Sequence, residues 1–163
     1  MHFRRTGCIV MLAAVLFTPA LPVRAQVPQA TIDRLVSLMQ QDGFHYNTTS
    51  SPTVFAIHFT GGHLKDIKVV IALGGDEDSD LVVFVTVTPK ATMPPTADFR
   101  ATLLKFNHEY DQVKVGFDAD GDLSVRTDAS MRLADATYVK NVINQVKNAS
   151  DEIYGKIQPQ LNP

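Results

Sequence analysis

The sequence holds a single cysteine, Cys8. It lies inside an apolar leader and lacks the leucine-rich approach of a lipoprotein cleavage box. Disulfides, a thiolate nucleophile and cysteine metal sites are therefore excluded from the processed chain. Glutamate is also scarce, occurring only at Glu77, Glu109 and Glu152. The G-x-S-x-G elbow, the phosphate-cradling glycine loop, the H-E-x-x-H pair and the dinucleotide fingerprint are all missing. With no nucleophile and base placed by a motif, the chain reads as noncatalytic and calls for no cofactor. Lysine and arginine form no cluster, which argues against neutralising the phosphates of a nucleic acid. No apolar run reaches the roughly 20 residues that span a bilayer.

What is present begins with that leader. Arg4 and Arg5 precede an apolar stretch from Gly7 to Leu21, and Val23-Arg24-Ala25 stands ahead of Gln26. This order is that of a secretory signal peptide cleaved after Ala25, and Pro19 and Pro22 break the helix where a retained anchor would continue. Export to the periplasm, or secretion, is expected, with no membrane anchor after cleavage. Loss of Arg4, Arg5 and Arg24 takes the formal charge from −2 to −5. The expected organisation is a signal peptide over residues 1–25, one domain over 26–157 and a polar tail over 158–163.

Within the domain, Ile32, Leu35, Val36 and Met39 recur at helical spacing and Gly43 is placed to end the helix. Three β-rich runs follow, "TVFAIHF" at 53–59, "DIKVVIAL" at 66–73 and "DLVVFVTVT" at 80–88, joined by glycine-containing loops that suit antiparallel hairpins. Pro94-Pro95 halts the sheet and Thr96 caps a second helix carrying Phe99, Leu103, Phe106 and Tyr110, with Leu104 widening the stripe. "VKVGF" and "LSVRT" alternate as two more strands, and Asp135 opens a long helix whose apolar side runs from Tyr138 and Val139 to Ile157. The order α-β-β-β-α-β-β-α predicts a two-layer α+β fold, an antiparallel five-stranded sheet with helices mainly on one face.

Three aspartates surround a glycine in "FDADGDL". As a calcium loop opening at Asp118, the glycine comes at the fourth position instead of the sixth, and Ala129 stands where a bidentate glutamate must close the ring. Asp120-Gly121 instead supplies residues that tolerate positive φ in a hairpin turn. His58 and His63 flank Thr60-Gly61-Gly62 and could face one another across a hairpin, but two imidazoles make a thin metal site. The rival reading of the chain is therefore a periplasmic small-ligand or cation-binding protein or enzyme, built on His58, His63, Asp118, Asp120 and Asp122.

The more informative feature is that the second and third strands are apolar on both sides. If Leu81, Val83, Val85 and Val87 point inward, Val82 and Phe84 point outward, and Val70 and Ala72 do the same one strand earlier. One layer of helices covers one side only. Val70, Val82 and Phe84 are therefore the expected contacts of a protein or peptide partner, or of a second copy in a homodimer.

At "LLKFNHEYDQVKVGFDADGDLSVRTD" the chain resembles the YbjN family of bacterial sensory transduction regulators, a resemblance that runs from the first helix to the last and is clearest from Leu103 to Tyr154. The shared features are a leucine-bearing helix ending in Asn107, an alternating strand reaching Phe117, the Asp120-Gly121 turn, a strand from Leu123 and an amphipathic last helix. The resemblance implies a fold like that of type III secretion chaperones, small acidic α+β proteins that tend to dimerise and hold extended segments of partners. It implies no catalytic residue. The leader departs from the pattern, because such chaperones act in the cytosol, so only the capacity to bind a partner is carried over.

Overall fold

The computed structural model describes residues 27–74 and 80–161. The first helix, α1 (Gln29–Gln41), buries Ile32, Leu35 and Met39, one residue per turn. It closes at Gly43, whose φ of 73° is the left-handed geometry glycine adopts without penalty. Then come β1 (Asn47–Thr48), β2 (Val54–Phe59), β3 (Ile67–Gly74) and β4 (Asp80–Thr88). α2 (Ala97–Glu109) is capped by Thr96, whose hydroxyl accepts the Phe99 N–H. A hairpin of β5 (Lys114–Phe117) and β6 (Leu123–Ser130) follows, and α3 (Ala136–Ile157) starts where the Asp135 carboxylate accepts the Tyr138 N–H.

The sheet has six strands in the order β1-β2-β3-β4-β6-β5, every pair antiparallel. The two-layer α+β expectation therefore holds with one strand more than the five foreseen. The addition, β1, has only two exposed residues, paired with Phe55 and Ala56, and its turn is held where Thr49 donates to the Val54 carbonyl. It is made by backbone pairing alone, without any apolar alternation to announce it.

Strand alternation sorts the sheet into two unlike faces. On the inner face Val69, Ile71, Leu81, Val83, Leu123 and Val125 are buried with the helices in one continuous core. α3 lies across β3, β4 and β6, α1 packs on α3, and α2 packs beside β5. The sequence placed Leu104 and Tyr138 on the buried stripes. The structure corrects both, since Leu104 is 70% exposed and Tyr138 37% exposed, each one helical step off the face that meets the sheet.

Two contacts set the relative position of sheet and helices. The Asp151 carboxylate on α3 accepts the backbone N–H groups of Gly62, His63 and Leu64 at 2.9, 2.9 and 2.7 Å, tying the β2–β3 turn to the last helix. At the far end of α2, Lys156 donates to Tyr110 Oη at 3.0 Å, pairs with Glu152 and Glu109 and lies over the rings of Phe106 and Tyr110. The Tyr110 hydroxyl and the neighbouring carboxylates hold the Lys156 ammonium above its ordinary pKa.

Candidate binding surface on the outer sheet face

The outer face is built from the residues between the core positions. Ladder pairing sets Ala56, Val70, Phe84 and Arg126 in one row and Val54, Ala72, Val82 and Asp128 in the next. Val70, Ala72, Val82 and Phe84 are each half-buried, by their strand neighbours, and none belongs to the core. The sequence thus reads correctly which residues stand on the face opposite the helices. Charged groups border the apolar rows. Asp128 accepts Arg126 at 2.7 Å and Lys114 at 3.0 Å. Partial burial raises its pKa, but the hydrogen bonds and charges of Lys114 and Arg126 outweigh that and keep it below the usual carboxylate range. His58 and Lys68 occupy the other flank, where His58 Nδ1 lies 2.9 Å from Asp66.

A shallow groove of about 240 Å³ runs from Val82 and Phe84 past Ser124 to Phe117 and Lys114. Phe117 is the residue that sequence reasoning missed. Alternation places it opposite the fully buried Leu123, yet at the end of the edge strand it remains 50% exposed. Its position beside the turn was the available signal. A second hollow of about 550 Å³ lies beyond it, between Phe117, Phe99 and the Met93-Pro94-Pro95 loop.

The residues of the rival reading are dispersed. His58 stands on the outer face, whereas the His63 ring packs against Gly155 of α3, where a β-carbon would come within 2.7 Å of it. The two imidazoles do not converge. In the acidic turn, Asp118 Oδ1 accepts the N–H groups of Asp120 and Asp122, and Asp122 Oδ1 accepts the Lys90 N–H. Gly121 donates to the Asp118 carbonyl with φ 85°, and Asp118 donates to the Asp122 carbonyl. The loop is therefore three residues, Ala119 to Gly121, not the two-residue turn read from Asp120-Gly121; Asp118 braces the turn's own backbone and Asp122 ties it to Lys90. Among the described residues no three His, Cys, Asp or Glu side chains stand where they could share an ion. A further acidic stretch, Asp76-Glu77-Asp78, which with Asp80 could have joined the Asp118–Asp122 turn around a cation, lies outside the described residues, as does the leader. No helix among those described is long and apolar enough to cross a membrane.

Comparison with solved structures finds the same fold at low identity. The ExsC–ExsE complex contains a chain with TM-score 0.59 and 13% identity, covering 79% of this chain and 94% of that one. The ExoU–SpcU complex of the Pseudomonas aeruginosa type III secretion system gives 0.51 and 15%, covering 78% and 97%. YbjN from E. coli gives 0.50 and 18%, covering 81% and 95%. No curated protein matches the sequence. The model of the YbjN family, described as "Putative bacterial sensory transduction regulator", matches residues 15–159, nearly the whole domain with its helices and sheet, and the chain belongs to that family.

Proposed function

We propose that the protein is an exported, noncatalytic binding module that captures an extended segment of a partner protein on the outer face of its sheet. Val70, Val82 and Phe84 are the apolar contacts, with Arg126, Lys114 and Asp128 at the rim. The observation that carries this reading is the contrast between two apolar faces of one sheet: the inner is fully buried, while Val70, Ala72, Val82 and Phe84 on the outer are half-buried and outside the core. Completing the burial of a half-covered Val or Phe contributes about 1 kcal/mol, half of what full transfer from water yields. Three such residues give a usable driving force but not a tight one, which suits reversible capture. The same surface would serve a homodimer. Two of the structurally similar proteins were solved as complexes with another protein, which supports a protein ligand over a small one.

The test is Phe84→Asp. It is expected to abolish self-association or partner capture, read by sedimentation velocity and by crosslinking in the periplasm, while the monomer keeps its far-ultraviolet dichroism and melting temperature to within about 5 °C, since about 1 kcal/mol of monomer packing is lost. A variant that unfolds would place Phe84 in the core and remove the proposal. Export itself is tested by N-terminal sequencing of protein recovered from the periplasm, which should begin at Gln26.

A further inference from the structure

The two strands at the β5 side of the sheet end differently, and the difference marks a second place for an extended chain. On β5, Val115 donates its N–H to Asn107 Oδ1 at 2.7 Å and accepts Asn107 Nδ2 at 2.9 Å. The Asn107 amide thus stands in for a neighbouring strand and seals that edge. Because Val115 turns both backbone groups away from β6, its pairing with Val125 is a non-hydrogen-bonded position of the ladder. Alternation then requires Ser124, Arg126, Asp128 and Ser130 to direct their backbone N–H and C=O groups toward the β5 side. β5 serves the first two, but it begins at Lys114, opposite Arg126. Beyond that pair the Gln112 carbonyl accepts the Thr127 hydroxyl, and no backbone bond to Asp128 follows. Among the described residues no strand or side chain bonds the Asp128 N–H or the Ser130 N–H.

The open edge is short and bounded. Gln112 closes one end, and the turn at Met131–Leu133 closes the other, fixed by Arg34 donating to the carbonyls of Met131 and Ala134 at 2.9 and 2.6 Å. Three or four extended residues fit such a notch, about 10–13 Å at the strand rise. A hollow flanks it on each side. One of about 480 Å³, toward the helices, is lined mainly by uncharged polar side chains, Gln112, Tyr138, Asn141 and Gln145, with Asp128 at its border. The other, about 560 Å³ and toward the outer face, is bordered by Val82, Tyr138, Asp80, Asp128 and Arg126, the last of these held by Asp128. Asp128 is already paired with Arg126 and Lys114, whereas Asp80 is exposed and makes no ion pair among the described residues.

We infer that β6 accepts a segment of a partner protein as an added strand at Asp128–Ser130, with small polar side chains toward α3 and alternating lysines or arginines toward the outer face. There a basic side chain lays its stem on Val82 and brings its charge to Asp80. A second copy fits poorly, since two-fold pairing of this edge would bring Asp128 against its own equivalent or one ladder position from it. The inference rests on the reading that the partner is extended, but it uses the strand edge and not the Phe84 surface.

Amide exchange and peptide titration followed by NMR test it. In the free protein the Asp128 and Ser130 amides should exchange at least about a hundredfold faster than those of Thr127 and Ala129, which face β4. The acetylated, amidated peptide Thr-Lys-Thr-Lys-Thr-Lys-Thr should protect the Asp128 and Ser130 amides in a saturable way. Its Thr-Glu counterpart should bind at least about tenfold more weakly, a charge-pair difference near 1.4 kcal/mol. Asp128→Pro, which removes an outward N–H and leaves the β4 ladder intact, should abolish the protection of the Ser130 amide. Phe84→Asp should leave it unchanged. Slow exchange at Asp128 in the free protein overturns the inference, as does peptide binding that survives Asp128→Pro in a variant whose Val125 and Thr127 amides stay protected. If binding disappears only in Phe84→Asp, the edge is excluded while the outer-face proposal stands.

Discussion

Replacing Asp151 tests how the β2–β3 turn is held against α3. Its carboxylate accepts three backbone N–H groups from Gly62, His63 and Leu64 at 2.7–2.9 Å. A hydrogen bond to a charged acceptor contributes about 1.5–3 kcal/mol where it is shielded. The freed amides of this exposed turn would bond to water, which reduces the three together to about 2 kcal/mol in Asp151→Ala. For a domain of this size that loss corresponds to about 5–8 °C in melting temperature. Asp151→Asn keeps one acceptor oxygen and should lose roughly half as much. Burial pushes the Asp151 pKa up, but the three N–H bonds and the His63 charge outweigh it, and the group ends below its ordinary 3.8. The carboxylate therefore stabilises the fold fully above pH 3.8, and its contribution is lost as pH falls through the lower, folded-state value. Urea unfolding at pH 7 and at about pH 3 measures both effects, and the gap between wild type and Asp151→Asn should narrow at the lower pH. A cost under about 0.5 kcal/mol at pH 7, or a gap that does not change with pH, would refute the reasoning.

Further consequences concern the neighbouring contacts. Gly155→Ala would drive a methyl to within 2.7 Å of the His63 ring, so it should destabilise by about 1–3 kcal/mol despite the better helix propensity of alanine, and Gly155→Ala with His63→Ala should recover most of that loss. Asn107→Leu strips the cap from Val115. It is expected to cost about 1–3 kcal/mol in denaturant unfolding and to raise aggregation in light scattering by exposing the β5 edge. Leu104→Ser, at an exposed position of α2, should change stability by less than about 0.5 kcal/mol, and a larger loss would mean that a second surface covers that helix.

The sheet's layout was legible where side-chain alternation is strong. Val69, Ile71, Val83 and Val85 declare an inner face, and the same runs declare Val70, Val82 and Phe84 on the other, because period two fixes both at once. The helix starts were legible too, since Thr96 and Asp135 carry the cap oxygens that the structure uses. β1 was not, because two polar residues paired by backbone carry no periodicity. Nor was the open edge at Asp128: it depends on where β5 begins, and the Thr127–Gln112 contact beside that point spans 15 positions with no local pattern. The role of Asn107 was likewise hidden, since an asparagine near a helix end reads equally as a cap or a turn. His58 and His63, neighbours in sequence, were separated because one sits in the strand and the other turns onto α3.

A working outer face must bring another polypeptide within reach of Phe84. Site-specific photocrosslinking from position 84, with benzoyl-phenylalanine in place of Phe84 in the full chain, reads this directly. A discrete adduct, either a second copy or one partner protein, is expected on irradiation of intact cells, and it should vanish when Val82→Asp is added while the protein still folds. An adduct from the same group at position 104 on α2, with none from position 84, would place the interaction surface on the helical side and leave the outer face idle.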